Sequence, residues 1–187
     1  MKPCTYFIVS FLAIDRAASL GMGPPRRITS PKVSVTPSIE IIEWAGPWSS
    51  FPCDVFLRDY WQQTPLLVRG AFPELRDNPI CTPDELAGIA CDEDASSRLI
   101  LAAKSVEHGP FDPDRLRKLP ATGDWSLLVN DMERFLPAAH KLAEAFSFLP
   151  TWRHDDVMCS YAPRGSGIGA HVDSYDVFLV QGSGNRT

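Results

Sequence analysis

The sequence predicts an α+β, mainly β domain, in which helical segments come first and strands follow. Three observations carry this expectation. Short amphipathic segments with clear helix starts lie before residue 150. Apolar or alternating runs of strand length recur at 65–69, 98–102, 125–129 and 157–162. A glycine-rich stretch, 165–169, then leads through His171 and Asp173 into a last apolar run, Tyr175 to Gln181.

Taken in order, residues 1–38 stand apart as a leader or disordered extension. A short apolar run, Tyr6 to Ile14, follows Lys2 and is too short to span a bilayer. Arg16, Arg26, Arg27 and Lys32 come next among serines and prolines, with Asp15 the one acid before Glu40. This pattern fits a cleavable targeting peptide of organellar type, and equally an untranslated or misassigned start. From Ile39 the composition is globular. Asp54 to Trp61 reads as a helix, with Val55, Phe56 and Tyr60 at helical spacing, and Pro65 to Arg69 as a strand. Thr82-Pro83-Asp84-Glu85 is a helix start, with a Thr cap, Pro at the first position and Glu at the third, on a helix carrying Leu86, Ile89 and Ala90. Arg98 to Ala102 and Trp125 to Val129 read as strands, and Pro137 to Phe146 as a helix with Leu142, Ala145 and Phe146 on one side. Val157 to Ala162 alternates as a strand, and the apolar run Tyr175 to Gln181 is expected to be buried on both faces. The division expected is 1–38, then 39–150, then 151–187.

Composition narrows the function classes. Among 187 residues, 44% are hydrophobic and 22% charged, as in a soluble globular domain. The net charge of −5 argues against direct nucleic-acid binding and suits a basic protein partner. The five cysteines are odd in number and form no C-x-x-C pair, which reads as free thiols in a reducing compartment, cytoplasmic or organellar rather than secreted. No membrane association is expected.

The chemistry concentrates at Gly165-Ser166-Gly167-Ile168-Gly169-Ala170-His171-Val172-Asp173. On a strand, His171 and Asp173 would point to the same side, because side chains alternate with period two. An imidazole and a carboxylate so placed can take two adjacent positions on an octahedral Fe(II), as in the 2-His-1-carboxylate triad. The fourteen residues after Asp173 contain no histidine, so the third ligand is not in this stretch. The glycines at 165, 167 and 169 permit tight turning just before the metal. No Gly-Lys-Ser/Thr follows them, which excludes a phosphate loop. His154 is expected in a surface loop, with Asp155 and Asp156 as solvent-facing carboxylates of a capped turn. His108 and His140 are assigned to packing or solvent contact, and Trp152, Tyr175 and Phe178 to the core.

Several blocks in order carry a resemblance: Tyr60-Trp61-Gln62 with Pro65-Leu66-Leu67-Val68, Asp84-Glu85-Leu86-Ala87-Gly88, His108-Gly109-Pro110-Phe111, Trp125-Ser126-Leu127-Leu128-Val129, Trp152 to Met158, and Gly165 to Gly184. Over residues 51 to 186 the chain resembles the JmjC-type (cupin) ribosomal oxygenases, in particular the bacterial type that hydroxylates an arginine of a large-subunit ribosomal protein. The resemblance implies the N-terminal part of a double-stranded β-helix with preceding helices, incomplete at its C-terminal side. It implies Fe(II) as metal and 2-oxoglutarate as cosubstrate, with His171 and Asp173 as iron ligands. Arg186 falls where the family places a basic residue for the distal carboxylate of 2-oxoglutarate, and Ser160 lies on a strand lining the same pocket; a guanidinium fork suits that role. Where the family tends to carry a Trp just afterwards, this chain reads Gly184-Asn185-Arg186-Thr187. The expected partner is a ribosomal protein. The family's homodimerisation region has no counterpart here, and a chain of this extent is expected to be inactive alone. The other reading is a non-catalytic cupin-like binding module or gene remnant.

Overall fold

The computed structural model describes residues 4–12, 39–102, 105–168, 171 and 173–185. The chain divides into two units, Ala13–Phe72 on one hand and Met1–Leu12 with Pro73–Thr187 on the other.

In the smaller unit, strand β2 (Glu40–Glu43) pairs in parallel with β3 (Leu66–Arg69), and helix α1 (Cys53–Asp59) lies between them in sequence. Its interior is aromatic. Trp48 stacks on Phe51 with ring centroids 4.4 Å apart, and Phe72 lies 5.0 Å from Trp48. Gly70 has φ +76°, and a Cβ there would meet the Trp44 carbonyl oxygen at 2.6 Å, so this turn admits glycine alone. The strand expected at 65–69 is present; β2 was not foreseen.

The larger unit is built on a six-stranded sheet. Its strands are β1 (Cys4–Leu12), β4 (Ser97–Leu101), β5 (Ser105–His108), β6 (Trp125–Val129), β7 (His154–Ala162) and β8 (Tyr175–Ser183), in the spatial order β5-β4-β6-β7-β1-β8. Every neighbouring pair is antiparallel. Helices α2 (Pro83–Ile89), α3 (Pro113–Arg117), α4 (Met132–Phe135) and α5 (Pro137–Glu144) complete the unit. Residues 1–38 were set apart as an extension, yet Cys4–Leu12 is a strand between β7 and β8. Period-two reading passed over it because the run is short, nearly all apolar and set in a leader-like context. The rest of that segment lies outside the described residues.

Helix α2 starts as its sequence requires. Thr82 Oγ1 accepts from the Glu85 amide at 3.2 Å, and the Thr82 amide donates to Glu85 Oε2 at 2.8 Å, which closes a capping box. The Thr82 backbone and hydroxyl bonds hold the Glu85 carboxyl below its ordinary range.

The sheet has two different faces. Trp125, Leu127 and Tyr161 lie beneath α2 and α3, where Ala87, Leu116 and Leu119 line a small cavity with them. The other face reads in rows fixed by register: Ser96, Asn130 and Met158; then Arg98, Leu128 and Ser160; then Ile100, Ser126 and Ala162. With both faces covered, β6 and β7 are almost continuously buried. Leu99, Val129, Val157 and Cys159 are wholly inaccessible. Phe146, beyond the end of α5, stacks on Phe178 at 4.4 Å.

Strand β8 departs from expectation. It was read as buried on both faces, but Tyr175, Val177 and Leu179 are 46%, 37% and 53% exposed. Among the described residues nothing covers this row, and an all-apolar run cannot by itself report whether a covering layer exists. Trp152, in the turn before β7, and Tyr175, both assigned to the core, are exposed, whereas Phe178 packs as expected.

Candidate metal and cosubstrate site

The site begins where β7 ends. After Ala162 the chain turns through Pro163 to Ser166, with Gly165 at φ +83° and Ser166 Oγ donating to the Gly123 carbonyl at 2.7 Å. Ile168 then packs back against Leu128 and Met158 on the inward face of the sheet. Three residues reach at most about 10 Å, so His171 follows within about that distance of Ile168. Gly169 lies outside the described residues.

His171 and Asp173 come together as expected, with His171 Nε2 3.3 Å from Asp173 Oδ2 and side chains 43% and 47% exposed. Two donors bound at about 2.1 Å and at right angles on one ion are separated by about 3 Å, so the pair is spaced as adjacent ligands are. The residues sit in the irregular stretch before β8 rather than on the strand, so strand alternation is not what aligns them. Among the described residues no group of three His, Cys, Asp or Glu side chains converges on one point. The imidazole and carboxylate fit two positions of an iron site, and a third protein ligand is not among them.

What fixes this stretch is Arg153. Its Nη2 meets Asp176 Oδ2 at 2.9 Å, with side chains 11% and 20% exposed, and so ties the turn before β7 to the start of β8, three residues past Asp173. Sequence reading missed this pair, which spans 23 residues and belongs to no local motif.

Ser160, expected to line the cosubstrate pocket, is fully buried on the inward face, and its Oγ has no hydrogen-bond partner. Ser126 Oγ, on the next strand and the same face, is likewise buried and unpartnered. It was not singled out from the sequence, although a small polar residue at an inward position of an otherwise apolar strand was the available signal. Arg186 lies outside the described residues.

At the other end of the same face, Arg98 Nη2 donates to Asn130 Oδ1 at 3.0 Å, and Asn130 Nδ2 donates to Asp156 Oδ2 at 2.7 Å. These residues, with His108 and Asp155, line a polar cavity of about 370 Å³ that includes none of the expected site residues. His154 and Asp156 correct the expectation of a solvent-facing loop. Both belong to β7, and Asp156 is 7% exposed, because the strand starts three residues earlier than its alternation showed. Burial, then the charges of Asp156 and Asp131, push the Asp155 carboxyl up. His140 is exposed on α5, 3.9 Å from Glu144, as assigned. Cys53, Cys81, Cys91 and Cys159 are all free thiols. No helix is long and apolar enough among the described residues to cross a membrane.

Comparison with known proteins agrees with this geometry. Residues 141–187 match the JmjC domain family. The chain is 40% identical over 137 residues to a probable ribosomal oxygenase of Haemophilus influenzae, covering 71% of this chain and 33% of that protein. It is 40% identical over 135 residues to the ribosomal protein uL16 3-hydroxylase of Escherichia coli, covering 70% of this chain and 35% of that protein. The chain thus spans about a third of the length of the curated relatives it matches. Among solved structures it is similar to YcfD, a ribosomal oxygenase from Escherichia coli, in complex with cobalt and 2-oxoglutarate, with TM-score 0.58 and 35% identity over 66% of this chain and 34% of that one. The complex of the same protein with cobalt and succinic acid gives a TM-score of 0.60 at the same identity, over 66% of this chain and 34% of that one.

Proposed function

We propose that this chain is part of a JmjC-type ribosomal oxygenase and that it supplies the first two metal ligands and part of the cosubstrate pocket of an Fe(II)/2-oxoglutarate-dependent protein hydroxylase. The observation that carries this reading is the 3.3 Å approach of His171 Nε2 to Asp173 Oδ2, in the stretch that follows the strand carrying the unpartnered buried hydroxyl of Ser160. When bound, iron and 2-oxoglutarate supply the oxidising chemistry that places a hydroxyl group on an unactivated carbon. His171 and Asp173 would hold the metal through one imidazole and one carboxylate. Ser160, and Arg186 beyond the described residues, hold the distal carboxylate of the cosubstrate. The rigid sheet, clamped at Arg153 and Asp176, keeps the ligand pair in place.

The substrate proposed is an arginine in a basic segment of a large-subunit ribosomal protein, met in the cytoplasm or in an organelle. A uL16 hydroxylase among the relatives and the acidic net charge of −5 support this. With two ligands converging among the described residues, the 187-residue polypeptide by itself is expected not to turn over. Incubation with Fe(II), 2-oxoglutarate and a uL16-derived peptide checks this by mass spectrometry. No hydroxylated peptide and no coupled succinate are expected, and either product contradicts the need for a further ligand. Failure of Mn(II), Co(II) and Fe(II) alike to bind would favour the other reading, a non-catalytic cupin-like module.

A further inference from the structure

The hydrogen-bond network of the sheet leaves two hydroxyls over. Ser126 is 1% exposed and Ser160 0%, and neither Oγ has a partner. A buried hydroxyl deprived of water and of any protein partner is unfavourable, and two on adjacent strands call for an explanation.

Register places them together. Leu128 pairs with Ser160 across β6 and β7, and Ile100 pairs with Ser126 across β4 and β6. Side chains two apart on a strand share a face, so Ser126 and Ser160 are diagonal neighbours on the inward side. The opposite side is accounted for separately by the Trp125 and Tyr161 rings, 5.5 Å apart. Diagonal neighbours lie about 7–8 Å apart at Cα and closer at Cβ. A carboxylate that accepts an O–H bond of about 2.7 Å at each of its two oxygens covers such a span.

The surroundings select the same chemistry. On β4, β6 and β7 the two rows that hold these serines contain Leu128, Ile100 and Ala162, and Arg98, whose guanidinium is turned to Asn130 and Met158, and no carboxylate. Ile168 and Met158 add apolar walls. Two hydroxyl donors between aliphatic side chains suit a hydrogen-bond acceptor such as a carboxylate at the end of a short methylene stem.

We infer that Ser126 is a second hydroxyl of the cosubstrate site, donating beside Ser160 to the distal carboxylate of a dicarboxylic 2-oxo acid. The inference rests on the dioxygenase reading and adds to it a residue that sets specificity. A serine that binds only ligand has no structural bond to lose, so Ser126→Ala is expected to leave the melting temperature unchanged or slightly raised.

The test is calorimetric titration of the Mn(II)-loaded chain with 2-oxoglutarate and with 2-oxobutyrate, which lacks the distal carboxylate. Ser126→Ala is expected to weaken 2-oxoglutarate about tenfold, the loss of one hydrogen bond to a charged acceptor, and to leave 2-oxobutyrate within about twofold. Equal weakening of both acids, or of neither, overturns the role of Ser126 while the dioxygenase reading stands. An unmodified chain that binds neither acid overturns both.

Discussion

Replacement of His171 by alanine is expected to weaken Co(II) binding to this chain by at least about a hundredfold, because loss of a direct ligand exceeds the 10- to 100-fold effect of altering groups that only orient ligands. Asp173→Ala should do the same, since the two donors stand 3.3 Å apart and act as one bidentate clamp. His140→Ala is the control: that imidazole lies on the exposed face of α5, 66% accessible, and its loss should leave affinity unchanged. Isothermal titration of the three variants and the unmodified chain reads the effect. Metal affinity retained in His171→Ala would place the metal elsewhere.

Arg153→Ala is expected to remove about 3 kcal/mol of stability, because it takes the guanidinium away from the largely buried Asp176 carboxylate. For a chain of this size that corresponds to a melting temperature lower by roughly 6–12 °C. The double variant Arg153→Met with Asp176→Leu should recover most of the loss, since the penalty belongs to the uncompensated charge. Arg117 and Asp114 make a pair of similar length, 2.8 Å, at 75% and 69% exposure, and Arg117→Ala should change stability by less than about 0.5 kcal/mol. Thermal denaturation followed by circular dichroism separates these outcomes. Equal effects at Arg153 and Arg117 would contradict the role given to burial.

The sequence carried the elements whose signals are local. Thr82, Pro83 and Glu85 state a capping box in four residues, and the box is present. Trp125 to Val129 is a strand over the same residues as expected. The JmjC fold was likewise legible, from ordered blocks, whereas the 3.3 Å approach of His171 to Asp173 arises in an irregular stretch and not from the strand alternation that their spacing suggested. What was illegible depends on neighbours remote in sequence. The place of Cys4–Leu12 between β7 and β8 is a pairing across more than 140 residues, and a leader-like composition gave no reason to look for it. The exposure of Tyr175, Val177 and Leu179 depends on what lies over β8, which an apolar run cannot state. Asp156 reads as a solvated acid until Asn130, 26 residues away, is seen to bind it. Ser126 resembles any strand serine until its hydroxyl proves to have no partner.

On the reading proposed above, this chain contributes one imidazole and one carboxylate to a metal site. Pulsed EPR of the Mn(II)-loaded chain, which counts coordinated imidazole nitrogens, tests it most directly. The chain holds four histidines, His108, His140, His154 and His171. One coordinated imidazole, lost in His171→Ala, is the result predicted. Two imidazoles on the metal, or one that survives that substitution, would contradict the account.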